Sequence, residues 1–229
     1  RNIQVIELCN EAISKDDELV DAYVLKCKCI FAIRLEHSFA SKRQEMEATF
    51  HELSERAYQL DPKNPEAVAN YSNSMNMKGD FEQRIKYAKE ALDLNPSHPQ
   101  SNYQYAMAIC NEGRFAEAEG LFFKAMELDP VQKKSYEGFF PFLYMAMGQS
   151  EKAIKWCRIL YDRSEHSRYD GFCAAISVHL NDLENAKSYL RRFKSARPEI
   201  ITLHDYENVA PDFIKKYLMD GVTQIWEAI

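Results

Sequence analysis

The chain has 229 residues, 46% of them hydrophobic and 28% charged, with a formal net charge of −6. That balance is that of folded globular material, and the negative charge excludes a general electrostatic attraction to nucleic acid. No apolar run approaches the roughly 20 residues of a membrane span, so no membrane partner is expected.

Residues 1–17 open the chain. Ile6, Cys9, Ala12 and Ile13 recur at helical spacing before Lys15-Asp16-Asp17, which predicts a helix whose hairpin partner is absent. No initiator methionine precedes it, and the reading is of a fragment of a longer protein. Over 18–64, Tyr23, Cys27 and Ile30 predict a first helix, and a second helix ends near Ala57 and Pro62. That segment carries about eleven residues more than its neighbours need, which predicts an enlarged inter-helix loop at about 36–44.

The centre of the chain is repetitive. Pro62, Pro96 and Pro130 are spaced by 34 residues, and so are Ala57, Ala91 and Ala125, and Leu60, Leu94 and Leu128. Blocks 65–98 and 99–132 also match at Tyr71/Tyr105, Gly79/Gly113 and Phe81/Phe115. Within the first block, Ala67, Val68, Tyr71, Met75 and Met77 form one apolar stripe, and Phe81, Ile85, Ala88, Ala91 and Leu92 form a second. Gly79-Asp80 breaks the first helix at a residue that tolerates positive φ, and Pro96 prevents the second from continuing. Each block therefore reads as helix, tight turn, helix, stop. Ala88, Ala91, Ala106, Ala118 and Ala125 mark where two helices approach closely.

Outward, the register weakens. Block 134–166 keeps Tyr136, Gly148, Ala153 and Cys157, and 167–200 keeps Ala174, Ala186, Leu190 and Pro198, with Asn181 in place of the turn glycine. In the last segment, 201–229, Pro211-Asp212-Phe213 opens an amphipathic stripe through Ile214, Tyr217, Leu218, Val222, Ile225 and Trp226, which predicts a capping helix.

These residues resemble the tetratricopeptide repeat family, whose unit is 34 residues long. Block 99–132 matches its pattern at Ala106, Gly113, Phe115, Ala118, Phe122, Ala125 and Pro130, with Asn102 where tryptophan is commonest. Block 65–98 departs at Ser72 and Arg84, where small residues are usual. The resemblance implies an all-α, right-handed superhelical solenoid of helix-turn-helix repeats with a C-terminal capping helix. It also implies that first helices line a concave face, through Ala69, Asn73, Met77, Tyr103, Met107, Cys110, Asn111, Gly138, Phe142, Met145, Gly171, Ala175 and His179. Of the family's clamp for a C-terminal carboxylate only Asn73 is present, because Ala69, Tyr103, Gly138 and Gly171 stand where lysine belongs. The candidate peptide-binding residues are Asn73, Met77, Tyr103, Met107, Cys110, Asn111, Phe142, Met145 and His179, an apolar and methionine-rich set suited to an amphipathic helix or extended apolar peptide. In a competing packing, Met107, Phe142 and Met145 turn toward the next helix and leave only alanine and glycine on the groove.

Chemistry of other kinds finds no motif. The six histidines, His37, His51, His98, His166, His179 and His204, are scattered, without HExxH, CxxC or a nucleophile elbow, and only seven glycines occur, so no catalytic site, metal or cofactor is expected. Cys27 and Cys29 point to different faces of a helix, and the other cysteines fall on apolar stripes as core thiols, which suggests a reducing, cytoplasmic setting. Arg191, Arg192, Lys194 and Arg197 read as a solvated helix face. Three functions follow: a protein-interaction scaffold, the regulatory C-terminal half of a bacterial signalling or transcription protein docking its own N-terminal domain, or a self-association module.

Overall fold

The structure, a computed structural model, describes residues 2–33, 42–162, 169–198, 200–207 and 215–228. Among these residues all regular structure is helical. The chain divides into two compact units, one of Arg1–Glu112 with Gly120–Leu128, the other of Gly113–Glu119 with Asp129–Ile229.

The first unit contains α1 (Asn2–Lys15), α2 (Val20–Ile33), α3 (Arg43–Leu60), α4 (Pro65–Met77), α5 (Phe81–Leu94), α6 (Pro99–Ile109), a 3-10 turn at Cys110–Glu112 and most of α7 (Phe115–Leu128). From α1 to α6 each helix packs on the next, and the first helices of successive hairpins, α2 with α4 and α4 with α6, also touch. The contact points are small: Ala57, Ala88, Ala91, Ala106 and Ala125 are fully buried. Starts are written into the sequence. The Asn64 side chain accepts from the backbone N–H of Glu66 at 3.0 Å and of Ala67 at 3.2 Å, with Pro65 supplying the preset φ of a first helical position.

The inter-helix turns share one geometry. Gly79, Gly113, Gly148 and Asn181 all have positive φ, from 58° to 74°. At three of them the following N–H reaches back five residues: Asp80 to the Met75 carbonyl, Gln149 to Tyr144 and Asp182 to Ser177, at 2.7–3.0 Å. This satisfies carbonyls that the ending helix leaves without partners.

Block 65–98 accommodates its two departures by pairing them. Arg84 is buried at a position built for alanine, its Nη1 donates to Asn76 Oδ1 at 2.7 Å, and the Ser72 hydroxyl donates to the Arg84 carbonyl at 2.7 Å. The expected loop at 36–44 lies outside the described residues up to 41, but Arg43 and Gln44 belong to α3. That helix runs 18 residues, against 14 in α5, so part of the extra length is helical.

The second unit contains the start of α7, then α8 (Lys133–Glu137), α9 (Phe140–Ala146), α10 (Ser150–Asp162), α11 (Asp170–His179), α12 (Leu183–Ala196), α13 (Leu203–Glu207), α14 (Lys215–Thr223) and a 3-10 turn at Trp226–Ala228. Here the first helix of block 134–166 is interrupted at Gly138-Phe139. Pro141 explains the break: it has no N–H to give, and its ring would collide with the carbonyl four residues earlier, on Glu137, in a continuous helix. The C-terminal segment also differs from a single capping helix. Residues 208–214 lie outside the described residues, so the expected helix start at Pro211-Asp212-Phe213 does as well. Before them stands α13, fixed by Asp205, whose carboxylate accepts from Thr202 N at 2.8 Å and Thr202 Oγ1 at 2.7 Å while Thr202 Oγ1 accepts from Asp205 N at 3.1 Å.

Candidate peptide-binding faces

In the first unit the candidate residues come from α4, α6 and the turn after it. Asn73 is 7% exposed and Cys110 1% exposed, so both face inward. Burial pushes the Cys110 thiol up to about 12, which keeps it protonated and unreactive at neutral pH. Met77, Tyr103, Met107 and Asn111 are half-buried. Tyr103 sets its ring edge-on against Phe122, 5.5 Å between centroids. Met77 packs on a cluster of Cys27, Ile30 and Phe50 and also lines an open cleft of about 320 Å³ between α3 and the end of α4.

The cleft carries a polar chain on its wall. Ser74 Oγ donates to the Tyr71 carbonyl at 2.7 Å and so has no proton left for His51, whose Nδ1 lies 3.0 Å away. His51 Nδ1–H therefore donates to Ser74, and Nε2 is left to accept from the Lys78 ammonium. Burial first, and the Lys78 charge second, hold the His51 imidazole below its ordinary pKa, against the opposing pull of Glu55 and Glu52. The arrangement positions side chains; with its hydroxyl committed to a backbone carbonyl and fully buried, Ser74 offers no nucleophile.

In the second unit the chain itself fills the corresponding positions. Phe142 is 2% exposed and enclosed by Phe139, Phe172 and Tyr169, with the Phe172 ring 4.2 Å away edge-on. This places Phe142 in the core, as in the competing packing in which it turns to the next helix. A Cβ on Gly138 would overlap the Tyr169 ring, and one on Gly171 would sit 2.7 Å from the ring of Tyr206. Ala175 is approached by Gly221 of α14, whose Cβ position lies 2.8 Å from the Ala175 carbonyl oxygen. His179 is exposed, stacks on Tyr217 at 3.8 Å, and donates through Nε2–H to the Tyr217 carbonyl at 2.8 Å. Tyr217 OH reaches Met145 Sδ at 3.7 Å.

Sequence reasoning missed these occupants, although a signal existed. A glycine inside a helix weakens it and usually has a packing reason; Gly138 and Gly171 look like open floor in the sequence, and each is the footprint of a tyrosine ring. Among the described residues, no group of His, Cys, Asp and Glu could hold a metal ion, and no helix is long and apolar enough to cross a membrane.

Comparison with known proteins agrees with the turn geometry. The tetratricopeptide repeat family profile matches residues 78–98, the segment from the Gly79 turn through α5 to the next helix cap. Over that segment the chain is similar to a tetratricopeptide repeat. Its fold is similar to a chain of the APC/C hetero-tetramer Cut9-Hcn1, with a TM-score of 0.64 at 11% identity over 96% of this chain and 46% of that one. It is similar to PilW, a widely conserved type IV pilus biogenesis factor, with a TM-score of 0.61 at 18% identity over 86% and 92%. A third structure, of a thermophilic tetratricopeptide protein in Thermus thermophilus, gives 0.57 at 15% identity over 83% and 96%. The chain thus spans less than half of the Cut9-Hcn1 chain, and these identities speak to fold alone. No curated protein sequence matches it significantly.

Proposed function

We propose that this chain is a scaffold that binds an apolar or amphipathic peptide segment of a partner protein on the first-helix face of its first unit. The tetratricopeptide fold supports a protein–protein interaction scaffold, and the choice of face rests on a contrast between the two units. At Gly138, Gly171 and Ala175 the chain covers its own first-helix surface, and Tyr217 already engages Met145 and His179, whereas Met77 and Met107 of the first unit are half-buried, Met77 at the edge of an open cleft. Thioethers on such a surface adapt to varied apolar partners at low cost.

A peptide library displayed on phage and selected against the chain tests this reading. Selected peptides should be amphipathic or apolar, and Met107→Asp should weaken them by roughly tenfold or more, the range of a moderate hot spot, without changing the melting temperature. Failure to select any peptide, or selection of peptides indifferent to Met107→Asp and Met77→Asp, would overturn it.

A second reading, self-association, is favoured by the exposed apolar side chains of Ile3 and Leu8 on α1 and Leu25 on α2. Solution mass across a concentration series separates the two, since a peptide scaffold stays monomeric.

A further inference from the structure

We propose that the surface where α3, α4 and α5 meet binds an arginine side chain of a partner protein, with Tyr58, Tyr71 and Tyr87 as its floor and the carboxylates of Glu55 and Glu90 as its charge partners. These residues come from three helices of the first unit, and Tyr71 is not among the first-helix positions that the resemblance assigns to the concave face. Three observations carry the assignment.

The first is the aromatic cluster. The rings of Tyr58 and Tyr71 lie 5.1 Å apart and within 10° of parallel, and Tyr87 stands 5.3 Å from Tyr58 and 4.8 Å from Tyr71. Tyr58 and Tyr87 pack inward on a cluster of Val68, Ala69 and Ala91, and all three rings are half-buried. The surface already attracts a cation, since the exposed Lys86 holds its ammonium 5.1 Å from the centre of the Tyr87 ring. The second observation is negative charge without a counter-charge. Tyr58 OH donates to Glu90 Oε1 at 3.4 Å and Tyr71 OH to Glu55 Oε1 at 3.5 Å, both at the long end of the hydrogen-bond range. Among the described residues neither of these half-buried carboxylates is ion-paired with a lysine or arginine.

The third observation is the repeat itself. Thirty-four residues further on, Tyr58, Tyr71 and Tyr87 correspond to Leu92, Tyr105 and Leu121, and Glu55 and Glu90 correspond to Lys89 and Lys124. The next junction thus carries leucine where this one has two of its tyrosines, and the opposite charge where this one has glutamate. Packing of the repeat therefore does not call for an aromatic and acidic set here. A guanidinium suits that set better than an ammonium: it is planar, stacks on tyrosine faces, and presents edge donors to two carboxylates, whereas an ammonium is compact and strongly hydrated. The surface is open, so a free small molecule would bury little of itself on it, while a side chain carried by a bound protein arrives at high effective concentration. The seat is independent of the first-helix face proposed above.

The test is a titration of the chain, its tyrosine rings labelled with ¹³C, with the peptide acetyl-Gly-Gly-Arg-Gly-Gly-amide. The Tyr58, Tyr71 and Tyr87 signals should shift together and saturate with a Kd on the order of 1 mM, the range of one side chain on an open surface. The same peptide with lysine should bind at least roughly threefold more weakly, and with citrulline, which keeps the shape and loses the charge, it should shift nothing. Glu55→Gln with Glu90→Gln should weaken the arginine peptide by roughly tenfold or more. Tyr58→Leu with Tyr87→Leu installs the residues of the next junction, so the chain should keep its circular dichroism spectrum while the Tyr71 signal loses its response. Equal shifts from the arginine and citrulline peptides, shifts that spare the three tyrosines, or no shift at about ten times that concentration would overturn the proposal. Unchanged arginine affinity in both double variants would overturn it as well. A doubled solution mass that the double glutamine variant abolishes would assign the seat to an arginine of a second copy and overturn the separate partner.

Discussion

Replacing Phe142 by alanine removes a ring that the second unit encloses on several sides. Phe172 lies 4.2 Å away edge-on, Phe139 5.6 Å away, and the side chain is 2% exposed, so the neighbours cannot collapse into the space without moving α11. Truncations of this kind cost about 3–5 kcal/mol, a large part of the roughly 5–15 kcal/mol that stabilises an ordinary domain. Urea unfolding followed by tryptophan fluorescence is a selective assay. Both tryptophans, Trp156 and Trp226, belong to the second unit, and the Trp156 ring is stacked 4.6 Å from Phe140, two residues from the substitution. With a denaturant slope of about 2 kcal/mol per molar, the midpoint should fall by about 1.5–2.5 M. A fall below about 0.5 M would mean that Phe142 is not a core residue and would return it to the ligand-facing set.

Three further outcomes are expected. Ala125→Leu should destabilise the first unit by about 1–3 kcal/mol through overpacking at a fully buried contact, read by circular dichroism in urea; a neutral effect would refute the close approach of the helices there. Arg192→Met should cost about 3–5 kcal/mol, because it leaves Asp170 buried without the guanidinium that donates to its Oδ1 at 2.6 Å. Adding Asp170→Asn should recover part of that loss, and no recovery in the tryptophan unfolding curve would argue against an uncompensated charge. For His51, the folded state holds the pKa below its ordinary value of 6.5, so the folded chain binds the proton less readily than the unfolded chain. Its contribution to stability is complete above pH 6.5 and declines as the pH falls through the lowered value; the wild-type urea midpoint should therefore drop more steeply between pH 7 and pH 5 than that of His51→Gln, and parallel curves would refute the polar chain in the cleft.

The repeat was legible because its determinants are local. Gly79, Gly113, Gly148 and Asn181 fix their turns through their own tolerance of positive φ, and Asn64-Pro65 starts a helix with groups at its own end. Arg84 and Ser72 looked like defects in the pattern because their compensation joins two different helices. The first-helix face was legible only in half. Its register followed from the period, but whether a position stays open depends on residues far along the chain: Tyr169 fills Gly138 from 31 positions away, and Tyr217 reaches Met145 from 72. Pro141 could have been read in advance, since a proline within an expected helix predicts the interruption that separates α8 from α9.

Methionine methyl groups offer the most direct measurement of where a ligand sits. With the methionines carrying ¹³C-labelled methyls, a peptide selected against the chain should shift the Met77 and Met107 resonances and leave Met145, already engaged by Tyr217, where it was. Shifts confined to Met145, or none at any of the three, would contradict the assignment of the binding face to the first unit.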